Sequence, residues 1–321
     1  MSFAAAPSKA LVTGTLVHPI LVTGATGRVG RAVVAQLLAA GMPVRALTRR
    51  PDAAGFPAAV EVVAGDLTVP ESLDAALQGV GAVFLLWTAP PSTVPAVVDR
   101  LASHARRVVF LSSPHRTPHP FFQQPNPMAA LHADIERLIA TAGLASTIIR
   151  PGMFASNARL WWANAIRERA VVRWPYAAAE TAPIDERDVA AVASRALCEE
   201  QHAGADYVLT GPDSLSQAEQ VSMIGSAIGR RIRFEELSAE EFRRETANSW
   251  PRQVVDMLLA AWGATIGRPA FVTSTVADVL GSPARPFRQW AVDHAEAFGE
   301  AQQIAVTSAW DVPLRRQPPL E

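Results

Sequence analysis

Residues 20–30 read Ile-Leu-Val-Thr-Gly-Ala-Thr-Gly-Arg-Val-Gly, and Gly24, Gly27 and Gly30 at this spacing can cradle a pyrophosphate. The first glycine permits a tight turn, the second lets backbone N–H groups approach phosphate oxygens, and the third lets the following helix pack closely on the strand. A short apolar strand before the glycines and a helical pattern over 31–40 aim the positive end of that helix at the anion. Arg49 and Arg50 follow a second apolar strand, residues 44–48, where a carboxylate would accept the ribose hydroxyls of NAD. A guanidinium there suits a 2′-phosphate, which favours NADP(H) over NAD(H), with Arg49 the stronger candidate. Arg28, inside the glycine turn, offers a second phosphate contact.

An open parallel sheet is needed to position these groups. Further strands are predicted at 60–64, 82–87, 107–112 and 147–150. They alternate with helices at 31–40, 94–103 and 129–142, and with one opened by a capping box from Thr68 to Glu71 and running through Gln78. Strand and helix in alternation imply right-handed βαβ units and a doubly wound parallel α/β sheet of the Rossmann type. A loop over 113–127, rich in proline and histidine, should line the site.

Beyond Pro151 the alternation loosens into a smaller, mostly helical C-terminal lobe that closes over the carboxyl edge of the sheet. Helices are predicted at 155–169, from Asp185 to Cys198, from a capping box at Ser216 to Ile228, from a second box at Ser238, and at 287–298. Strands are predicted at 207–210 and 231–236. The plan is therefore an extension over 1–17, a dinucleotide-binding domain over 18–154, a substrate lobe over 155–300 with returns to the sheet near 171–210, and a tail over 301–321.

Composition excludes several alternatives. A formal net charge of −1 over 321 residues gives no pull toward nucleic acid or an anionic membrane, and no stretch approaches the length of a membrane span. Cys198 is the only cysteine, so no intramolecular disulfide can form and a reducing, cytoplasmic location is expected. His115, His119 and His132 lack compact metal-ligand spacing, so no metal is predicted. Of the 29 basic residues only Lys9 is a lysine, and a mechanism built on a lysine within the fold is therefore excluded.

With the cradle, Arg49, Gly65-Asp66-Leu67 and Phe110-Leu-Ser-Ser113 in order, the chain resembles an atypical short-chain dehydrogenase/reductase of the NmrA-like type. His132-Ala-Asp-Ile-Glu136, residues 147–154 with Asn157, Asp188-Val-Ala190, residues 209–212, Ile228-Gly-Arg230 and Gln289-Trp-Ala291 extend the likeness over about residues 18–300. The resemblance implies NADP(H) or NAD(H) binding in a group that includes quinone, enone and azo reductases, natural-product ketoreductases and non-catalytic redox sensors. Better-known relatives carry Tyr-x-x-x-Lys four residues before a glutamate on this helix. Counting back from Glu136 places His132 at the lysine position and Met128 at the tyrosine position, so the usual acid and its partner are absent. If hydride transfer occurs, the proton must come from a hydroxyl, a histidine or water, or the acceptor must need little acid assistance.

Position along the expected sheet assigns the remaining candidates. Gly24, Thr26, Gly27, Arg28, Val29 and Gly30, then Arg49, Asp66, Leu67, Leu86, Trp87, Thr88 and His132, are expected to hold the cofactor. Ser112 and His132 are the catalytic candidates. His115, Met128, Phe154, Asn157, Trp161 and Trp174 are expected to face substrate, and the aromatic group suits an aromatic small molecule. The adjacent Trp161 and Trp162 cannot share one helix side, which leaves one of them for ligand or for a homodimer partner. The expected activity is NADPH-dependent reduction of a quinone, ketone or enone, with aromatic natural products among the candidate substrates. A dinucleotide-binding sensor and a non-redox enzyme on the same fold are the alternatives.

Overall fold

The computed structural model describes residues 18–299; the expected N-terminal extension and C-terminal tail lie outside the described residues. In chain order the elements are β1 (Ile20–Val22), α1 (Arg28–Ala39), β2 (Val44–Thr48), β3 (Val60–Ala64), α2 (Asp74–Leu77), β4 (Ala82–Leu86), α3 (Val94–His104), β5 (Arg107–Leu111), α4 (Pro127–Thr141) and β6 (Ala145–Pro151). There follow α5 (Asn157–Arg169), β7 (Val171–Pro175), β8 (Glu180–Thr181), α6 (Glu186–Cys198), β9 (Asp206–Leu209), β10 (Leu215–Ser216), α7 (Gln217–Ala227), β11 (Arg233–Leu237), α8 (Ala239–Thr246), α9 (Arg252–Gly263), α10 (Thr275–Leu280) and α11 (Phe287–Asp293).

Seven strands form one sheet in the order β3-β2-β1-β4-β5-β6-β9, every neighbouring pair parallel. The order reverses between β1 and β4, and such a switch point opens the crevice where open α/β sheets bind ligands. Thr23 Oγ1 accepts the Leu86 N–H at 2.8 Å and donates to the Leu86 carbonyl at 3.1 Å, locking the ends of β1 and β4 together at that point. Alternation along each strand feeds two cores. Ile20, Val22, Phe84 and Val109 pack with α1 and α6 on one face, while Leu21, Val83, Val108 and Phe110 pack with α3 and α4 on the other. Within α1 the buried residues Val29, Val33, Val34 and Leu37 make the apolar stripe.

The capping boxes at Ser216 and Ser238 both form, each serine accepting an N–H from the glutamate three residues on. Asp185 likewise caps α6 by accepting the Arg187 N–H at 2.8 Å. The box expected at Thr68 does not form. Glu71 turns away to Arg100 of α3 at 3.2 Å, Thr68 donates its N–H to Asp66 Oδ1, and the chain passes through a 3-10 turn over Pro70–Leu73 before α2 begins.

The second lobe is built around Trp162, Trp262, Trp290, Phe242, Phe287 and Phe298, all fully buried. It contains more strand than the sequence suggested: β7 pairs with β11 in parallel and β8 with β10 antiparallel. The return to the main sheet is correspondingly shorter than 171–210, because β7 stays in the lobe while α6 and β9 join the sheet. Helix α9 was not anticipated. The helix expected over 287–298 stops at Asp293 and resumes as a 3-10 turn over Ala295–Ala297.

Candidate functional site

The cradle is shaped by backbone. Gly24 has φ +59°, and its carbonyl accepts the Gly27 N–H at 2.9 Å. A Cβ on Gly30 would lie 2.2 Å from that same carbonyl oxygen, so only glycine lets α1 start this close to the turn. The first turn of α1 has no side-chain cap and no acidic residue, which leaves its N–H groups for a ligand. Thr26, Gly27 and Arg28 are exposed at this end. Arg49 and Arg50 are exposed beyond β2, at the edge expected for the adenosine half of a dinucleotide. These features fit a bound dinucleotide.

At the far end of the crevice, α4 places Met128, His132 and Glu136 four residues apart on one face. Met128 is 44% exposed at the rim. His132 stands edge-on to Phe110 with ring centroids 5.6 Å apart, and its Nδ1 is buried without a partner. Glu136 is buried and accepts both ends of the Arg150 guanidinium, at 2.6 and 2.7 Å. Arg150, 1% exposed, also donates to Asp206 at 2.6 Å and to the Ser113 carbonyl at 3.0 Å. Ser112 donates its hydroxyl to Glu136 Oε1. His115 Nε2 lies 3.9 Å from Glu136 Oε2 and has no hydrogen-bond partner.

The electrostatics follow from this packing. Burial lowers the His132 pKa to about 4, and the nearby His115 and Arg150 push the same way against the opposing pull of Glu136. Burial lowers His115 as well, again opposed by Glu136. Both rings are therefore neutral near pH 7 and neither is a ready acid. Because the unfolded chain takes up the His132 proton first, this histidine stabilises the fold above about pH 6.5, and that contribution is lost as the pH falls toward about 4. Denaturant unfolding across this range should show a slope that flattens in His132→Gln; an unchanged slope would contradict the assignment.

Several sequence candidates belong to the core. Val29, Leu67 and Trp87 are buried, and the Trp87 indole N–H is spent on the Ala89 carbonyl at 2.7 Å. Trp174 is not a pocket wall: it is 5% exposed and packs on Phe242 at 4.8 Å, while Trp161 stacks on it at 5.6 Å. Trp161 and Trp162 thus converge on one aromatic core, contrary to the expectation that helix period would separate them. Asp66 Oδ1 accepts the Thr68 N–H at 2.9 Å and shapes the turn after β3. Leu86 lies 3.2 Å from where a Gly24 Cβ would stand, and Thr88 is exposed at the end of β4. Phe154 bridges to Ile184, and Asn157 donates to Met153 Sδ at 2.8 Å. In the loop after β5, His119 packs against Phe122 and Phe271, with ring centroids 6.0 and 6.3 Å away. The Ser112 hydroxyl is directed at the Glu136 carboxylate. Glu136 and Arg150 join the site beyond the residues expected from sequence, although a charge beside Ile135 on the apolar stripe and an arginine closing an apolar strand both signal a buried pair.

A sequence-family profile described as NAD(P)H-binding matches residues 24–200, more than half of the chain. The chain belongs to that family. A solved NmrA variant shares its fold, with a TM-score of 0.69 at 17% identity over 89% of this chain and 97% of that one. It is 39% identical over 286 residues to the (4-alkanoyl-5-oxo-2,5-dihydrofuran-3-yl)methyl phosphate reductase of Streptomyces griseus, covering 87% of this chain and 99% of the relative. It is 34% identical over 290 residues to an NAD(P)H azoreductase of Xenophilus azovorans, covering 88% and 100%. The NADPH complex of an NADPH-dependent quinone oxidoreductase from Escherichia coli superimposes with a TM-score of 0.72 at 23% identity, over 85% of this chain and 99% of that one, a likeness of fold. Within the family this chain is an NAD(P)H-dependent oxidoreductase. Among the described residues no helix is long and apolar enough to cross a membrane.

Proposed function

We propose that the protein is an NADPH-dependent reductase of conjugated, electron-poor acceptors, namely enones, unsaturated lactones or quinones. The observation that carries this reading is the Ser112 hydroxyl donating to a Glu136 carboxylate that Arg150 holds in place. The Ser112 proton is committed to Glu136, and burial lowers the pKa of His132 and His115, so neither ring is a charged acid near pH 7. Bound at the cradle, a reduced nicotinamide supplies a hydride. A conjugated acceptor spreads the resulting charge over an enolate or phenolate oxygen that water can protonate, whereas a simple ketone needs a positioned acid. The nearest chemistry among the relatives named above, an oxo-dihydrofuran reductase, is of the conjugated kind. Arg28, Arg49 and the free first turn of α1 hold the phosphates, and exposed Arg49 in place of a ribose-binding carboxylate favours NADPH.

The test is NADPH and NADH oxidation with a panel of cyclic enones, unsaturated lactones, quinones and saturated ketones. Turnover of the conjugated acceptors, faster with NADPH and absent with the saturated ketones, is expected. Comparable reduction of saturated ketones, or tight dinucleotide binding with no turnover of any acceptor, would overturn the reading.

A further inference from the structure

Three helices begin around the cradle. The Ala155 N–H donates to the Ile184 carbonyl and the Ile184 N–H to the Met153 carbonyl, both at 2.8 Å, so the first turn of α5 sits beside that of α6. Helix α6 lies along α1, tied by Gln36 Nε2 to the Arg187 carbonyl at 2.9 Å. Arg28, Arg159 and Glu186 occupy those three first turns.

Their charges are unspent. Arg28 and Arg159 are exposed and make no ion pair among the described residues. Protein on one side of the Arg28 guanidinium, and the like charge of Arg159, lower its pKa, with Glu186 opposing. Glu186 is only 8% exposed, yet its Oε2 has no hydrogen-bond partner. Two unpaired guanidinium groups on neighbouring helix starts and an orphaned buried carboxylate oxygen are unfavourable unless a ligand completes them. The complement must bring an anion for the arginines and an O–H donor for Glu186. A diphosphate flanked by ribose hydroxyls brings both; a phosphate ester on a substrate brings the anion alone.

We propose that Arg159 is a cofactor-positioning residue: from the lobe side it grips the dinucleotide diphosphate together with Arg28, while the free oxygen of Glu186 accepts a ribose hydroxyl. The lobe is thereby tied to the cradle when cofactor binds. The inference rests on the reading that the cradle holds a nicotinamide dinucleotide.

Dinucleotide fluorescence titrations of the full chain test it. Arg159→Gln should weaken NADPH and NADH by about the same factor, roughly tenfold for a lost charge-assisted contact, and lessen the salt dependence of binding. The melting temperature without ligand should hold, because Arg159 loses no ion pair. Arg159→Lys should recover part of the affinity, and Glu186→Gln should weaken both dinucleotides by a smaller factor. Unchanged affinity in Arg159→Gln beside a wild type that binds would overturn this inference alone. A loss confined to NADPH would move Arg159 to the 2′-phosphate, and a change only in KM for a phosphorylated substrate would move it to the substrate; either overturns the proposal. A wild type that binds neither dinucleotide removes the cofactor reading and this inference with it.

Discussion

Replacing Arg150 with Met is expected to lower the unfolding free energy by about 3–5 kcal/mol, the usual cost of removing one partner from a buried ion pair. Arg150 is 1% exposed, and its guanidinium is the bidentate partner of a Glu136 that is itself 6% exposed. Without it, the buried carboxylate keeps the Ser112 hydroxyl as its hydrogen-bond donor and, at 3.6 Å, only the exposed Arg116 guanidinium as a counter-charge. The deficit should be largely recovered in the double variant Arg150→Met, Glu136→Met, because exchanging a whole buried pair for apolar side chains is often close to neutral. Activity should not recover with it. Ser112 would lose the acceptor that fixes its hydroxyl, and kcat should stay at least about tenfold below wild type. Denaturant unfolding and steady-state kinetics on the same three proteins separate the two effects. A double variant with full activity would show that the pair serves stability alone.

Gly30→Ala should be nearly as costly to the fold and more costly to ligand binding. The new Cβ would meet the Gly24 oxygen at 2.2 Å, the Gly24 carbonyl carbon at 2.7 Å and the Ala25 Cα at 2.8 Å. All three are backbone atoms of the cradle, so no side chain can swing aside, and the turn and α1 must separate. A destabilisation of about 3 kcal/mol is expected, at the upper end for overpacking, with NADPH affinity falling more than about tenfold as the helix N-terminus withdraws from the phosphates. Gly41→Ala is the control. It carries φ +73° but meets nothing within 4 Å, so only the conformational penalty of about 1 kcal/mol applies, and NADPH binding should be untouched. Equal losses of affinity in the two variants would refute the close-packing explanation.

The two sites differ in how much of them could be read from the chain. The cradle was legible because its requirement is local: Gly24, Gly27 and Gly30 fall within seven residues, and the strand before and the helix after follow from period alone. The Ser216 and Ser238 boxes were legible for the same reason. Thr68 to Glu71 has the same spacing, yet Arg100 of α3 draws Glu71 away, and a contact between residues 29 apart leaves no trace in a four-residue pattern. Trp161 and Trp162 point about 100° apart on an ideal helix. Their rings are wide enough for both to reach Trp174 all the same.

By itself the sequence determined the doubly wound parallel sheet and the glycine cradle with Arg49 beyond the second strand. These are backbone and periodicity demands that each segment states alone. Only the tertiary structure decided what surrounds the far end of the crevice. It brought Glu136 from a helix, Arg150 from a strand and Ser112 from the end of another strand into one buried network, and so directed the serine hydroxyl at the Glu136 carboxylate. Burial and partner distance set the protonation and hydrogen-bond direction of these groups, and both depend on which distant segments the fold packs together.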